Sequence, residues 1–167
     1  MIIIYTGSGK GKTSASLGQT IRALGQGFRV AFGQFMKQDG KAGEQALLRN
    51  LLGNNFYAGG KGFFRHAEEK PAHREAALLT LNWAFERLPQ LDMLVLDESL
   101  YALGAGLLTP EEVHGLIDKA RRCDTHLVLS GRGLPDWLEE EADLITEMTE
   151  IKHPWQKGVA AARGIEF

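Results

Sequence analysis

Near the amino terminus, Thr6-Gly7-Ser8-Gly9-Lys10-Gly11-Lys12-Thr13 has the residue types and spacing to hold a triphosphate. Across Gly7, Ser8, Gly9, Lys10 and Gly11 the backbone N–H groups can turn inward onto phosphate oxygens. The start of the following helix adds its partial positive charge. In loops of this kind the lysine, here Lys12, reaches the phosphates, and the hydroxyl, here Thr13, ligates Mg²⁺. The commoner pattern begins with glycine, where this chain has Thr6. The Lys10 side chain is open to two readings, a counter-charge for phosphate or an exposed lysine. A plain glycine turn is the alternative for the whole segment. Strand, spacing, lysine and threonine together disfavour it.

A second segment, Leu94-Val95-Leu96-Asp97-Glu98, is an apolar run that ends on two acids. Carboxylates at the carboxyl end of a buried strand can hold Mg²⁺ or its water beside a phosphate loop. Arg132 stands between Gly131 and Gly133, just after another apolar run. It reads either as a bidentate phosphate contact or as a solvated loop arginine.

These groups need a scaffold that brings distant segments to one edge. Short apolar runs at Ile2–Tyr5, Arg29–Phe35, Met93–Leu96, His126–Leu129 and Leu144–Met148 read as strands. Between them, Lys12–Leu24 and Pro71–Leu88 carry apolar residues at helical spacing. Gly25 stops the first of these helices and Pro89 the second. Thr109-Pro110-Glu111-Glu112 is a capping box with proline at the first helical position, and it opens another helix through Ala120. A short helix at Pro135–Glu141 follows. Residues 36–66 read as irregular, with a short helix at Glu44–Leu52 and a short strand near Phe56–Ala58. Strands alternating with helices predict an α/β fold, a P-loop NTPase-like, mainly parallel sheet with helices on both faces. Ligands of such sheets bind beyond the carboxyl ends of the strands.

The chain of 167 residues fits one domain, 1–167, and carries a net charge of -2, so nucleic acid is not an expected partner. Its single cysteine, Cys123, excludes a disulfide framework and points to a reducing compartment, the cytoplasm. No apolar run approaches membrane-spanning length, and the start lacks the features of a signal peptide.

Taken together, these segments resemble the P-loop class of ATP:corrinoid adenosyltransferases over nearly the whole chain. Residues 6–13 are similar to that family's T-G-N-G-K-G-K-T, so the missing first glycine is a family trait. Arg22-Ala23-Leu24-Gly25, Gln34-Phe35-Met36-Lys37, Gly43-Glu44, Leu96-Asp97-Glu98 and Gly131-Arg132-Gly133 resemble further family blocks. The tail, Ile151-Lys152-His153, Gly158 and Gly164-Ile165-Glu166-Phe167, resembles the family's ending. The resemblance implies that cobalt(I) of a corrinoid attacks the 5′ carbon of ATP and that triphosphate leaves whole, in adenosylcobalamin biosynthesis or salvage. It implies Lys12, Thr13 and Glu98 as catalytic residues, Thr13 and Glu98 as Mg²⁺ ligands, and Arg22 and Arg132 at the nucleotide. It also implies a homodimer and a reductase or reduced flavoprotein as electron source.

Two departures accompany it. Family members often carry an extension before the first strand, which here begins at Met1. The loop expected to touch the corrin ring has the family pattern G-F-x-W, whereas this chain has Gly62-Phe63-Phe64-Arg65. Phe63, Phe64 and Arg65 are therefore the expected corrinoid loop, with arginine in place of tryptophan. An ordinary P-loop ATPase or kinase and a non-catalytic corrinoid-binding protein are the competing functions.

Overall fold

The computed structural model describes residues 1–64 and 66–166. Arg65 of the expected corrinoid loop and Phe167 of the tail motif lie outside them. Six strands, β1 (Ile2–Thr6), β2 (Val30–Gln34), β3 (Phe56–Ala58), β4 (Met93–Asp97), β5 (His126–Ser130) and β6 (Leu144–Glu147), form one sheet in the order β3-β2-β4-β5-β1-β6. Every pairing is parallel. This is the α/β, P-loop type of sheet that the alternation of elements predicts.

Strand side chains alternate between faces, and the two faces have separate cores. On one, Ile3, Phe32, Val95 and Val128 pack against α1 (Lys12–Gly25) and α2 (Glu44–Leu52) through Ala23 and Leu48. On the other, Ile2, Ile4, Leu94, Leu96, Leu127 and Leu129 are covered by α3 (Lys70–Arg87), α4 (Ser99–Gly104), α5 (Pro110–Arg122) and α6 (Asp136–Glu141). Central strands β2 and β4 are buried at every residue, as continuous apolar runs in a doubly covered sheet require.

The sequence pattern does not predict α4. This helix has six residues, Ser99–Gly104, and lies in a run too short and too uniformly apolar to show a helical period. Burial of Leu100 and Ala102 fixes it directly after β4. Trp83 on α3 stacks on Tyr57 with ring centroids 5.5 Å apart.

The capping box at Thr109 is present in full. The Thr109 hydroxyl accepts from the Glu112 N–H, and the Glu112 carboxylate accepts from the Thr109 N–H at 2.9 Å. The same carboxylate takes a bidentate pair from Arg74 on α3, at 2.6 and 2.7 Å, which ties α5 to α3. Thr109→Ala removes one half of the box at a cost of about 1 kcal/mol. The midpoint of thermal unfolding, followed by circular dichroism, is expected to fall by about 2–4 °C for a chain of this size. An unchanged midpoint would mean that the cap contributes nothing here.

Candidate active site

The carboxyl ends of four neighbouring strands, β2, β4, β5 and β1, open into one cavity of about 780 Å³. Lys10, Lys12, Thr13, Glu98 and Arg132 all line it, so the fold gathers five of the expected site side chains from separate segments.

Gly7 has φ 102°, a conformation that favours glycine, and a side chain there would run into the backbone of Met148. Gly9 is equally hemmed in: an added Cβ would lie 2.8 Å from the Met148 carbonyl oxygen and 2.9 Å from the Glu150 nitrogen. The cause is the segment after β6, which runs along the phosphate loop. The Met148 N–H donates to the Thr6 carbonyl at 2.8 Å, and its carbonyl accepts from the Gly9 N–H at 2.7 Å. Two of the loop glycines are thus demanded by strand packing as well as by any ligand.

Lys12 begins α1, and its ammonium donates to the carbonyls of Gly7 (2.8 Å) and Gly9 (2.7 Å), so the loop is curled around its own lysine. Burial lowers the Lys12 pKa first, and the positive charge of Arg132 adds to this. The Lys10 ammonium donates to the carbonyl of Ile165. That contact brings the tail over the loop, so Trp155, Gly164, Ile165 and Glu166 line the same cavity.

Asp97, the last residue of β4, is completely buried. The Thr13 hydroxyl stands 3.1 and 3.2 Å from its two oxygens, Ser130 Oγ donates to it at 2.7 Å, and Gln34 Nε2 lies 3.3 Å away. Lys37 Nζ is 3.1 Å from Asp97, 2.7 Å from Glu44 and 3.2 Å from Thr13. Sequence reasoning names Asp97 only as one of two acids able to hold Mg²⁺ or its water, and gives Lys37 and Glu44 no role beyond their family-like blocks. For Asp97 a signal exists. It shares strand parity with Val95, which packs on the α1 side, so Asp97 points toward Thr13.

Glu98 takes the left-handed conformation, φ 59°, where a non-glycine residue costs about 1–3 kcal/mol. This turn brings its half-buried carboxyl to the cavity. Burial, followed by the neighbouring charge of Asp97, raises its pKa above the ordinary carboxylate range.

The corrinoid-loop residues part company. Phe63 is 61% exposed, lines the cavity and meets Tyr101 edge-on at 4.9 Å. Phe64 instead turns to the core and packs beside His73 at 5.1 Å. Arg22 is not brought to the cavity. Ten residues beyond Lys12 on α1, about 15 Å along the axis, it is exposed and donates to Gln19. Among the described residues no cluster of three His, Cys, Asp or Glu forms a metal cage.

The family model for the ATP:corrinoid adenosyltransferases BtuR/CobO/CobP matches residues 1–167. The chain belongs to this family. A corrinoid adenosyltransferase of Pseudomonas aeruginosa is 34% identical, with 100% of this chain and 83% of the relative covered. The corrinoid adenosyltransferase CobA of Salmonella typhimurium is also 34% identical, covering 100% of this chain and 85% of the relative. Among solved structures, a DNA replication initiation factor aligns at a TM-score of 0.49 and 17% identity, over 88% of this chain and 39% of that one. As a member of the adenosyltransferase family, the chain is an alkyl-group transferase that acts in adenosylcobalamin synthesis.

Glu98→Gln tests the electrostatics. A carboxyl with a raised pKa contributes stability while protonated and loses it as pH rises through that pKa. Without added metal, the variant is expected to melt about 2 °C or more above the parent at neutral pH. The difference should vanish near about pH 4, where the parent is itself largely protonated. Its transferase rate is expected to fall at least about tenfold. Calorimetry across pH checks the first, and an unchanged or lowered midpoint at neutral pH would contradict it.

Proposed function

We propose that this single domain carries out adenosyl transfer from ATP to the cobalt(I) of a corrinoid, with the phosphate loop acting on the departing triphosphate. The observation that carries the reading is the composition of the cavity walls. Lys12, Lys10, Arg132 and the start of α1 supply positive charge, and Phe63, Tyr101 and Trp155 supply apolar surface facing the same space. A triphosphate needs the first and a flat macrocycle the second.

In the transfer, the cobalt electron pair forms the bond to C5′ as the C5′–oxygen bond breaks, and the triphosphate leaves with the electrons of that broken bond. No proton moves, so no general base is required. The work left to the protein is stabilisation of charge gathering on the leaving group, together with alignment of C5′. Lys12 and the loop N–H groups other than that of Gly9, which is taken by the Met148 carbonyl, do the first. Thr6 and Gly9, bonded to Met148 in the segment after β6, keep the loop in place before substrate arrives.

Mg²⁺ fits the oxygen donors present. Thr13 Oγ1 lies 3.1 Å from Asp97 Oδ1, close to the separation of about 3 Å between neighbouring ligands of an octahedral ion. Mg²⁺ commonly takes one or two carboxylates and completes its shell with phosphate and water. Thr13, Asp97 and Glu98 would hold it, and it would supply charge neutralisation on the triphosphate. The reading includes Phe63 as a corrin contact, a reductase or reduced flavoprotein as electron source, and a homodimer in the cytoplasm. The family's usual assembly and chemistry support these. No helix among the described residues is long and apolar enough to cross a membrane.

The test is an anaerobic reaction with ATP, Mg²⁺ and chemically reduced cobalamin, following the corrinoid spectrum and the phosphate products. A light-sensitive alkylcobalt product with one triphosphate per cobalt is expected. Lys12→Ala should slow it at least about a hundredfold, as loss of a charged donor to a leaving group does. ADP and phosphate without cobalt alkylation would replace this reading with an ATPase.

A further inference from the structure

Lys37 has no part in the mechanism above, yet its ammonium is held by three oxygens of the site. It follows β2 and lines the cavity, with its side chain 24% exposed. An ammonium has three protons to donate. Three oxygens surround this one: Glu44 Oε1 at 2.7 Å, Asp97 Oδ2 at 3.1 Å and Thr13 Oγ1 at 3.2 Å.

The acceptors are held from elsewhere. Gln34 Nε2 donates to Glu44 at 3.0 Å and lies 3.3 Å from Asp97, and Gln45 Nε2 in turn donates to Gln34 at 2.8 Å. Ser130 fixes the other oxygen of Asp97 at 2.7 Å. The oxygens thus form a rigid cradle, and the lysine is the member with a long, rotatable stem.

Two members of that cradle, Thr13 and Asp97, are residues that the proposed function assigns to Mg²⁺. A divalent ion binds such oxygens at about 2.0–2.1 Å, and two cations cannot share them at contact distance. We propose that Lys37 is a positioning residue whose ammonium competes with the divalent cation for Thr13 and Asp97. Metal entry requires Lys37 to withdraw, with Glu44 as the partner it keeps. The inference rests on the Mg²⁺ assignment. Lys37 and Glu44 then act together. They hold the Thr13 hydroxyl and the buried Asp97 in register until metal arrives, and afterwards they leave a tethered positive charge beside the triphosphate.

The probe is Mn²⁺, titrated without nucleotide and followed by its electron paramagnetic resonance signal. Lys37→Met is expected to bind Mn²⁺ about tenfold or more tightly than the parent, equivalent to about 1.4 kcal/mol. Thr13→Val in the same background should abolish the gain. Equal or weaker binding by Lys37→Met would overturn the proposal. Should that variant fail to fold, Lys37→Gln combined with Glu44→Gln preserves the charge balance and is expected to show a gain of the same sign, and no gain would again overturn it. In the parent protein, the lysine ¹⁵Nζ resonance of the ordered ammonium should move on adding Mg²⁺ with inorganic triphosphate. A resonance that stays fixed while metal binds rejects displacement. If neither parent nor variants bind Mn²⁺ even with triphosphate, the Mg²⁺ assignment itself fails, and the inference fails with it.

Discussion

One carboxylate, that of Asp97, imposes its requirements on the rest of the site. It is fully removed from solvent, and an ionised group in that position costs several kcal/mol unless it is paired and hydrogen-bonded. Its partners come from separate parts of the chain. Gln34 ends β2, Thr13 opens α1, Ser130 ends β5, and Lys37 reaches in from the loop after β2. Satisfying this one charge therefore fixes the relative positions of several strand ends and of the phosphate-loop helix. The arrangement is possible because β4 lies between β2 and β5 in the middle of the sheet. A residue at its carboxyl end is flanked by neighbours on both sides.

The cavity beside that centre holds the groups that suit a departing triphosphate, with Lys12 already enclosed by its own loop. Phe63, Tyr101 and Trp155 present apolar surface to the same cavity, and the tail is drawn over the loop by the contact of Lys10 with Ile165. The strained backbone of Glu98 also lies at the cavity wall. A left-handed, non-glycine residue carrying a destabilised carboxyl persists only where surrounding structure holds it. Here β4 and α4 flank it directly.

Much of this is legible in the sequence, for identifiable reasons. Short apolar runs locate five of the strands within a residue or two, and for β2 and β4, buried at every residue, no alternation is needed for recognition. The phosphate loop and the Thr109 box are local motifs whose spacing is their geometry. Other features depend on what the fold brings together. Lys37 and Glu44 stand in family-like blocks, but nothing in their spacing shows that they meet above Asp97. Arg22 matches a block as well, yet helical rise carries it away from the cavity. Phe63 and Phe64 are adjacent in sequence and face different surroundings. The short helix α4 exists only because tertiary burial favours it. Arg65, the departure from the family tryptophan, falls outside the described residues.

The most direct test of this account is the binding of inorganic triphosphate with Mg²⁺ to Asp97→Asn, measured by titration calorimetry beside the parent protein. The substitution keeps the shape of the side chain and removes its charge. If the buried carboxylate organises the site, the variant should stay folded while its affinity for Mg²⁺ with triphosphate falls at least about tenfold, or about 1.4 kcal/mol. Affinity within about a factor of two of the parent would contradict it. The charge of Asp97 would then be incidental to a site organised by the phosphate loop alone.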